Sequence, residues 1–189
     1  MRITGGKFRG RALAEPPDDR VRPTSDKVRQ AIFNILAHND FGGTLEGARV
    51  VDVCAGTGAL GLEALSRGAA YALFIDDSAE SRALIRRNVE ALDLTGATKI
   101  WRRDATQLGP LGAGAGGPFE LALLDAPYRK GLTERALMSL AAGGWLAPGA
   151  LAVAETAADE KVAAPGGFTL LDSRTYGETA VHIFGTSPS

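Results

Sequence analysis

Four short acidic or glycine-rich stretches could do chemistry, and each closes a run that reads as a buried strand. Residues 49–54 run into Cys54-Ala55-Gly56-Thr57-Gly58, with Asp52 inside the run. Residues 71–76 end in Asp76-Asp77-Ser78, residues 98–102 lead to Asp104-Ala105, and residues 119–124 end in Asp125-Ala126-Pro127-Tyr128. Gly56, Gly58 and Gly61 let the chain turn sharply and let a ligand approach without a Cβ in the way. The helix that follows offers free N–H groups at its start. Asp76 lies about 20 residues further on, where a ribose-binding acid belongs. Asp104 is placed to accept from an adenine amino group. Glycine turn and acids together fit NAD, and equally fit S-adenosylmethionine, which presents adenosine without a pyrophosphate.

The fourth stretch separates these readings. Pro127 fixes φ and removes an N–H, so the turn is rigid and rich in carbonyls. The Asp125 carboxylate and the Ala126 carbonyl can then both accept from one exocyclic amine, which aims the nitrogen lone pair at a methyl donor. The Tyr128 ring can stack on the base that carries the amine. No strong base is required, because methylation leaves the nitrogen cationic and its proton departs easily. Hydride transfer to a carbonyl would want a His, Tyr or Lys beside the cofactor, and none stands in such a place.

The surrounding pattern is a regular alternation of strands and helices. Helices are expected over 59–67, from a Ser78 cap to about residue 92, and over 132–142; a further strand is expected over 150–155. Such alternation implies α/β, a parallel sheet wound on both faces. After residue 167 the alternation stops. Strands 168–175 and 179–184 flank Tyr176-Gly177-Glu178, a hairpin turn, so the sheet should finish with an antiparallel pair. Upstream, Thr24 or Ser25 can cap a helix whose apolar stripe is Val28, Ala31, Ile32, Ile35 and Leu36. Arg29 falls off that stripe. Cys54 is expected to be a small buried residue rather than a thiol nucleophile, and His38 and His182 satisfied surface residues.

With 189 residues, one principal domain is expected. No apolar run is long enough for a membrane span and no h-region opens the chain, so a cytoplasmic monomer without metal is the expectation. The formal net charge of −1 conceals an asymmetry. Residues 1–36 hold eight Lys/Arg against four Asp/Glu, and the remainder is acidic. Residues 1–23 read as a basic arm or β-hairpin before a domain at 24–189. Lys7, Arg9 and Arg11 surround Phe8, and Arg22 and Arg29 follow; cations interleaved with a ring suit RNA.

Together, Gly6-Lys7-Phe8-Arg9-Gly10-Arg11, Arg22-Pro23-Thr24-Ser25-Asp26-Lys27-Val28-Arg29, residues 55–69 and Tyr176-Gly177-Glu178-Thr179 resemble the RsmD family, and 125–128 resembles the Asn/Asp-Pro-Pro-Tyr signature of amino-group methyltransferases. The resemblance runs from Arg2 to about Phe184. It implies a seven-stranded, Rossmann-like S-adenosylmethionine-dependent methyltransferase sheet, mostly parallel with its last strand antiparallel. It implies methylation of a guanine N2 amine in 16S rRNA of the assembling small ribosomal subunit. The implied catalytic residues are Asp125, Ala126, Pro127 and Tyr128. The cofactor set is Asp52, Ala55, Gly56, Thr57, Gly58, Asp76, Asp77, Ser78, Asp104 and Ala105, with Thr24. Two positions depart from the family: Cys54 stands where an aromatic residue is usual, and Ala126 replaces the first proline. Adenine or cytosine amines, an NAD-dependent oxidoreductase and a non-catalytic RNA-binding protein are the competing readings.

Overall fold

The computed structural model describes residues 1–17, 24–38, 41, 45–128 and 130–187. After α1 (Asp26–His38) come β1 (Arg49–Val53), α2 (Ala59–Ser66), β2 (Tyr71–Ile75), α3 (Ala79–Ala91) and β3 (Thr98–Trp101). Then follow β4 (Phe119–Leu124), α4 (Leu132–Ala142), β5 (Leu146–Ala157), β6 (Phe168–Tyr176) and β7 (Thr179–Thr186). The seven strands form one sheet in the order β3-β2-β1-β4-β5-β7-β6. The first five pair in parallel, and β7 runs antiparallel to both β5 and β6. Chain order reverses between β1 and β4, and a crevice opens at the carboxyl ends of strands at such a point.

The buried strands are apolar on both faces because both faces are covered. On one face Val50, Phe74, Leu121, Leu123, Val153 and Ile183 pack with residues of α1, α2 and α3. On the other, Val51, Val53, Leu73, Leu124 and Ala152 pack with Ala136, Leu137 and Leu140 of α4 and with Trp145. At Gly61 a Cβ would lie 2.5 Å from the Phe74 ring, so this glycine serves the packing of α2 on β2.

The basic arm is a hairpin held by one antiparallel bridge, Arg2 to Ala12, instead of paired strands. It is docked on the body. Ile3 and Leu13 are buried in the α1–α3 face of the core. Gly6, at φ +79°, sits so close to the Ser66 carbonyl that a Cβ would be 1.9 Å from its oxygen, and the Lys7 N–H donates to that oxygen at 2.9 Å.

Three expectations change. β5 begins at Leu146, because Pro148-Gly149, which reads as a turn, is absorbed in a register shift against β4. His182 is buried, not superficial; its ring nitrogens meet Thr156 Oγ1 at 3.1 Å and Ser173 Oγ at 2.8 Å. Cys54 is only half-buried and takes a left-handed φ of 58°. Ser25 accepts from the Val28 N–H at 3.2 Å and so closes the first turn of α1.

Candidate active site

A cavity of about 550 Å³ lies at the carboxyl ends of β1 to β4, within the size range of small-molecule sites. Gly56, Asp76, Asp77, Asp104 and Ala105 line it together with the whole of Asp125-Ala126-Pro127-Tyr128. All four strand ends singled out in the sequence therefore meet in one place. Arg103, Arg135 and Ser81 line it too and went unforeseen. Arg103 immediately precedes Asp104, and Arg135 sits in the first turn of the helix after the Asp125–Tyr128 turn; those positions were the available signal.

The first glycine turn is held from behind. Asp76 Oδ2 accepts from the Gly56 N–H and its Oδ1 from the Ser78 N–H, each at 2.9 Å. One carboxylate thus ties the first strand end to the second and is fixed in place at the cavity wall. Burial lifts its carboxyl above the usual range, the two N–H donors oppose the rise, and neighbouring Asp77 adds to it. Ser78 caps α3 by accepting from the Ser81 N–H. Asn88 of α3 donates to the Thr57 carbonyl at 2.9 Å, the Thr57 hydroxyl accepts from the Ala59 N–H at 3.3 Å, and the Gly58 N–H donates to the Ala55 carbonyl at 2.8 Å. Ala55, Thr57, Gly58 and Ser78 therefore shape the site rather than line it. Asp104 is exposed, and two bonds from Thr106 pull its carboxyl below the usual range.

Asp52 needs a correction. It lies beneath the turn at 1% exposure, and its Oδ2 accepts from the Gly61 N–H at 2.9 Å. It braces the start of α2 and is not in the cavity lining. Burial pushes its carboxyl well above the usual range. The Cys54 thiol does line the cavity, but burial and the surrounding Asp76 and Asp125 charges push it up to about 12, so it stays a neutral thiol.

Thr24 also has another role. Its Oγ1 lies 2.8 Å from Asp125 Oδ2 and within hydrogen-bond contact of Glu155 Oε2. Glu155, near the end of β5, accepts from the Tyr128 hydroxyl at 2.9 Å, which also meets Thr179 Oγ1 at 3.3 Å. Burial above all raises the Tyr128 phenol to about 12. Burial and then the Glu155 charge lift the Asp125 carboxyl well above the usual range. Glu155 went unnoticed in the sequence, where the one signal was a lone acid in the buried apolar run of β5, and Thr179 reads there only as part of the hairpin motif, without a role at the site.

Of the proposed RNA contacts, Lys7, Arg9 and Arg11 are exposed on the arm. Lys7 Nζ lies 5.0 Å from the Phe8 ring centroid, and Arg11 donates to the Ala91 carbonyl at 2.9 Å. Arg22 lies outside the described residues. Arg29 needs a correction too: it is fully buried, and its Nε donates to Glu63 Oε1 at 3.1 Å, so it cannot meet RNA. Its position beside Val28 and Ile32 turns it inward, and its partner on α2 supplies the opposite charge.

A family described as conserved hypothetical protein 95 matches residues 1–185. Ribosomal RNA small subunit methyltransferase D of Escherichia coli K12 is 36% identical over 97% of this chain and 89% of its own length. The protein of the same name from Haemophilus influenzae is 30% identical over 97% and 93%. The solved structure of yhhF from Escherichia coli superposes with a TM-score of 0.83 at 31% identity, covering 100% of this chain and 99% of that one. An RNA methyltransferase from Salinibacter ruber, solved with S-adenosyl-L-homocysteine, shares the fold at a TM-score of 0.65 and 12% identity. The chain belongs to the RsmD family, and its sheet is that of the S-adenosylmethionine-dependent methyltransferases.

Proposed function

We propose that this protein methylates the exocyclic N2 amine of a guanine in 16S rRNA of the assembling small ribosomal subunit, with S-adenosylmethionine as donor. The supporting observation is that the ribose-type acid Asp76 and the Asp125-Ala126-Pro127-Tyr128 turn open onto one cavity. The Escherichia coli relative, 36% identical, carries a name that specifies small-subunit ribosomal RNA. The donor set also fits the cofactor: acids stand where hydroxyls and an adenine amine need acceptors, and the cavity has the necessary volume.

Asp76 and Asp104 hold the adenosine. The cofactor, when bound, supplies an electrophilic methyl group. Asp125 and the Ala126 carbonyl accept from the guanine amine and aim its lone pair. Tyr128 stacks on the base, which must leave its helix to enter, and base stacking contributes about 1–3 kcal/mol. As the methyl arrives the amine becomes positive, and Asp125 stabilises that charge more in the transition state than in the ground state.

Asp125→Ala is expected to slow single-turnover methylation about 10²–10³-fold, the range for losing one preorganised electrostatic contact. S-adenosylhomocysteine affinity should stay near wild type. The assay uses unmethylated small-subunit particles, with the methylated nucleoside read by mass spectrometry. Near-normal turnover in Asp125→Ala sinks the mechanism; an N6-methyladenine or N4-methylcytosine product overturns the substrate.

A further inference from the structure

The catalytic turn rests on two carboxyl groups, and amine capture uses only one. Leu124 of β4 is in register with Ala154 of β5, so the residues that follow, Asp125 and Glu155, come off neighbouring strands side by side. Glu155 is 5% exposed, whereas Asp125 opens onto the cavity. The Thr24 hydroxyl stands between them, touching Asp125 Oδ2 and Glu155 Oε2. A hydroxyl has one hydrogen. Thr24 donates it to one carboxyl, and the other carboxyl must donate to Thr24, so that carboxyl carries a proton. Two neighbouring like charges away from water do not both ionise.

The surroundings decide which carboxyl holds it. Asp125 faces the cavity, where an amine donates to it and favours its charged form. Glu155 lies deeper, and its Oε1 already accepts from the Tyr128 hydroxyl, a role the carbonyl oxygen of a protonated acid performs. Among the described residues, the other titratable or charged groups around the pair are Asp52 and Cys54 from β1 and its turn, Tyr128, Asp76, Asp77, Arg103, Asp104 and Arg135 around the cavity that Asp125 faces, and Lys27, Tyr176 and Glu178 around the cavity on the Glu155 side. Asp52 and Glu178 oppose a second negative charge, while Lys27 favours it.

We propose that Glu155 holds the shared proton, passed through Thr24, and thereby keeps Asp125 ionised and aimed at the target amine. Glu155 and Thr24 are positioning residues. This rests on the reading of Asp125 as the amine acceptor.

Gln copies a protonated Glu: its amide donates to Thr24 and its carbonyl accepts from Tyr128. Glu155→Gln is therefore expected to keep its single-turnover rate near wild type at neutral pH. The wild-type rate should fall at alkaline pH as the pair loses its proton, and Glu155→Gln should not share that fall. Thr24→Val, which keeps the shape and deletes the relay, should slow turnover about 10²-fold, as misplacement of a reacting group does. A collapse of Glu155→Gln to the Asp125→Ala rate, or the same alkaline profile in both proteins, overturns the proposal. Infrared spectroscopy of the cofactor-free protein asks the same question without turnover. The carbonyl band of a protonated carboxyl should be weaker in Glu155→Gln than in wild type at neutral pH; no difference overturns the proposal. If the wild-type protein methylates no guanine amine, or Asp125→Asn runs at full rate, the functional reading fails while the infrared result still reports where the proton sits.

Discussion

Asp52 carries a cost that its role in the fold explains. It is buried, its Oδ1 meets no partner among the described residues, and its Oδ2 holds the Gly61 N–H where α2 begins. Its carboxyl is raised well above the ordinary value of 3.8. The native state therefore keeps a proton that the unfolded chain releases first. Stability must fall as pH rises from about the unfolded value towards the folded one, since stability changes with pH as protons bound in the unfolded state minus those bound in the native state. Asp52→Asn keeps the acceptor for Gly61 and removes this titration. Its unfolding free energy, measured by urea melts across pH, should match wild type at the acidic end and gain on it as pH rises. A constant difference at every pH would exclude Asp52 as the source. The raised Asp76 carboxyl and the proton shared by Asp125 and Glu155 should leave a residual fall of the same sign in both proteins. At this scale the sequence shows the residues but not their direction. Asp52 and Asp76 both sit near a strand end beside a glycine turn, yet only Asp76 faces the cavity, because it lies just past the end of β2 whereas Asp52 is still inside β1, beneath the start of α2.

At the scale of elements, α1, α2 and the arm converge on a single carboxylate. Glu63 accepts from the Thr4 N–H at 2.9 Å, the Gly5 N–H at 2.9 Å, Arg29 Nε at 3.1 Å and Arg67 Nε at 2.8 Å. Arg29 also donates to the Thr24 carbonyl at 3.0 Å, which fixes the backbone of the residue bonded to Asp125. Removing one cation from a fully buried ion pair leaves the other charge under-compensated, here with Arg67 as the remaining cation of Glu63. Arg29→Met should lower the unfolding free energy by about 3–5 kcal/mol, with little dependence on salt because the pair is out of water. Urea unfolding at two ionic strengths checks both statements, and a loss below about 1 kcal/mol would mean that Glu63 is held well enough by the arm and Arg67. Helix and strand identities were legible because apolar periodicity is a local signal. The burial of Arg29 was not, since its partner lies on another element. The start of β5 was hidden for a related reason: Pro148-Gly149 has turn chemistry, and only the pairing of flanking Leu146 and Leu151 with β4 keeps it within a strand.

Over the whole molecule, the same docking changes what the basic arm can be. As a sequence it looks like a detachable tail of positive charge. In the structure, the arm's apolar residues belong to the core, its backbone is clamped to Glu63 and Ser66, and its Lys7, Arg9 and Arg11 face solvent. Deleting the arm would therefore disturb α2 and the glycine turn at its start as well as any RNA contacts, and could not separate the two. Neutralising charges can. If the arm grips RNA phosphates, each contact releases counterions, and log affinity falls with log salt by about 0.7 per single-strand phosphate neutralised. A Lys7→Gln, Arg9→Gln, Arg11→Gln triple variant should bind 16S rRNA fragments more weakly at low salt, with a slope shallower by up to about 2 units. Its S-adenosylhomocysteine affinity and melting temperature should stay near wild type, because these three side chains leave the core contacts of the arm in place. Titrations at several salt concentrations measure the slope directly. An unchanged slope would remove the arm from the RNA interface and shift attention to Arg103 and Arg135, the cations that line the cavity itself.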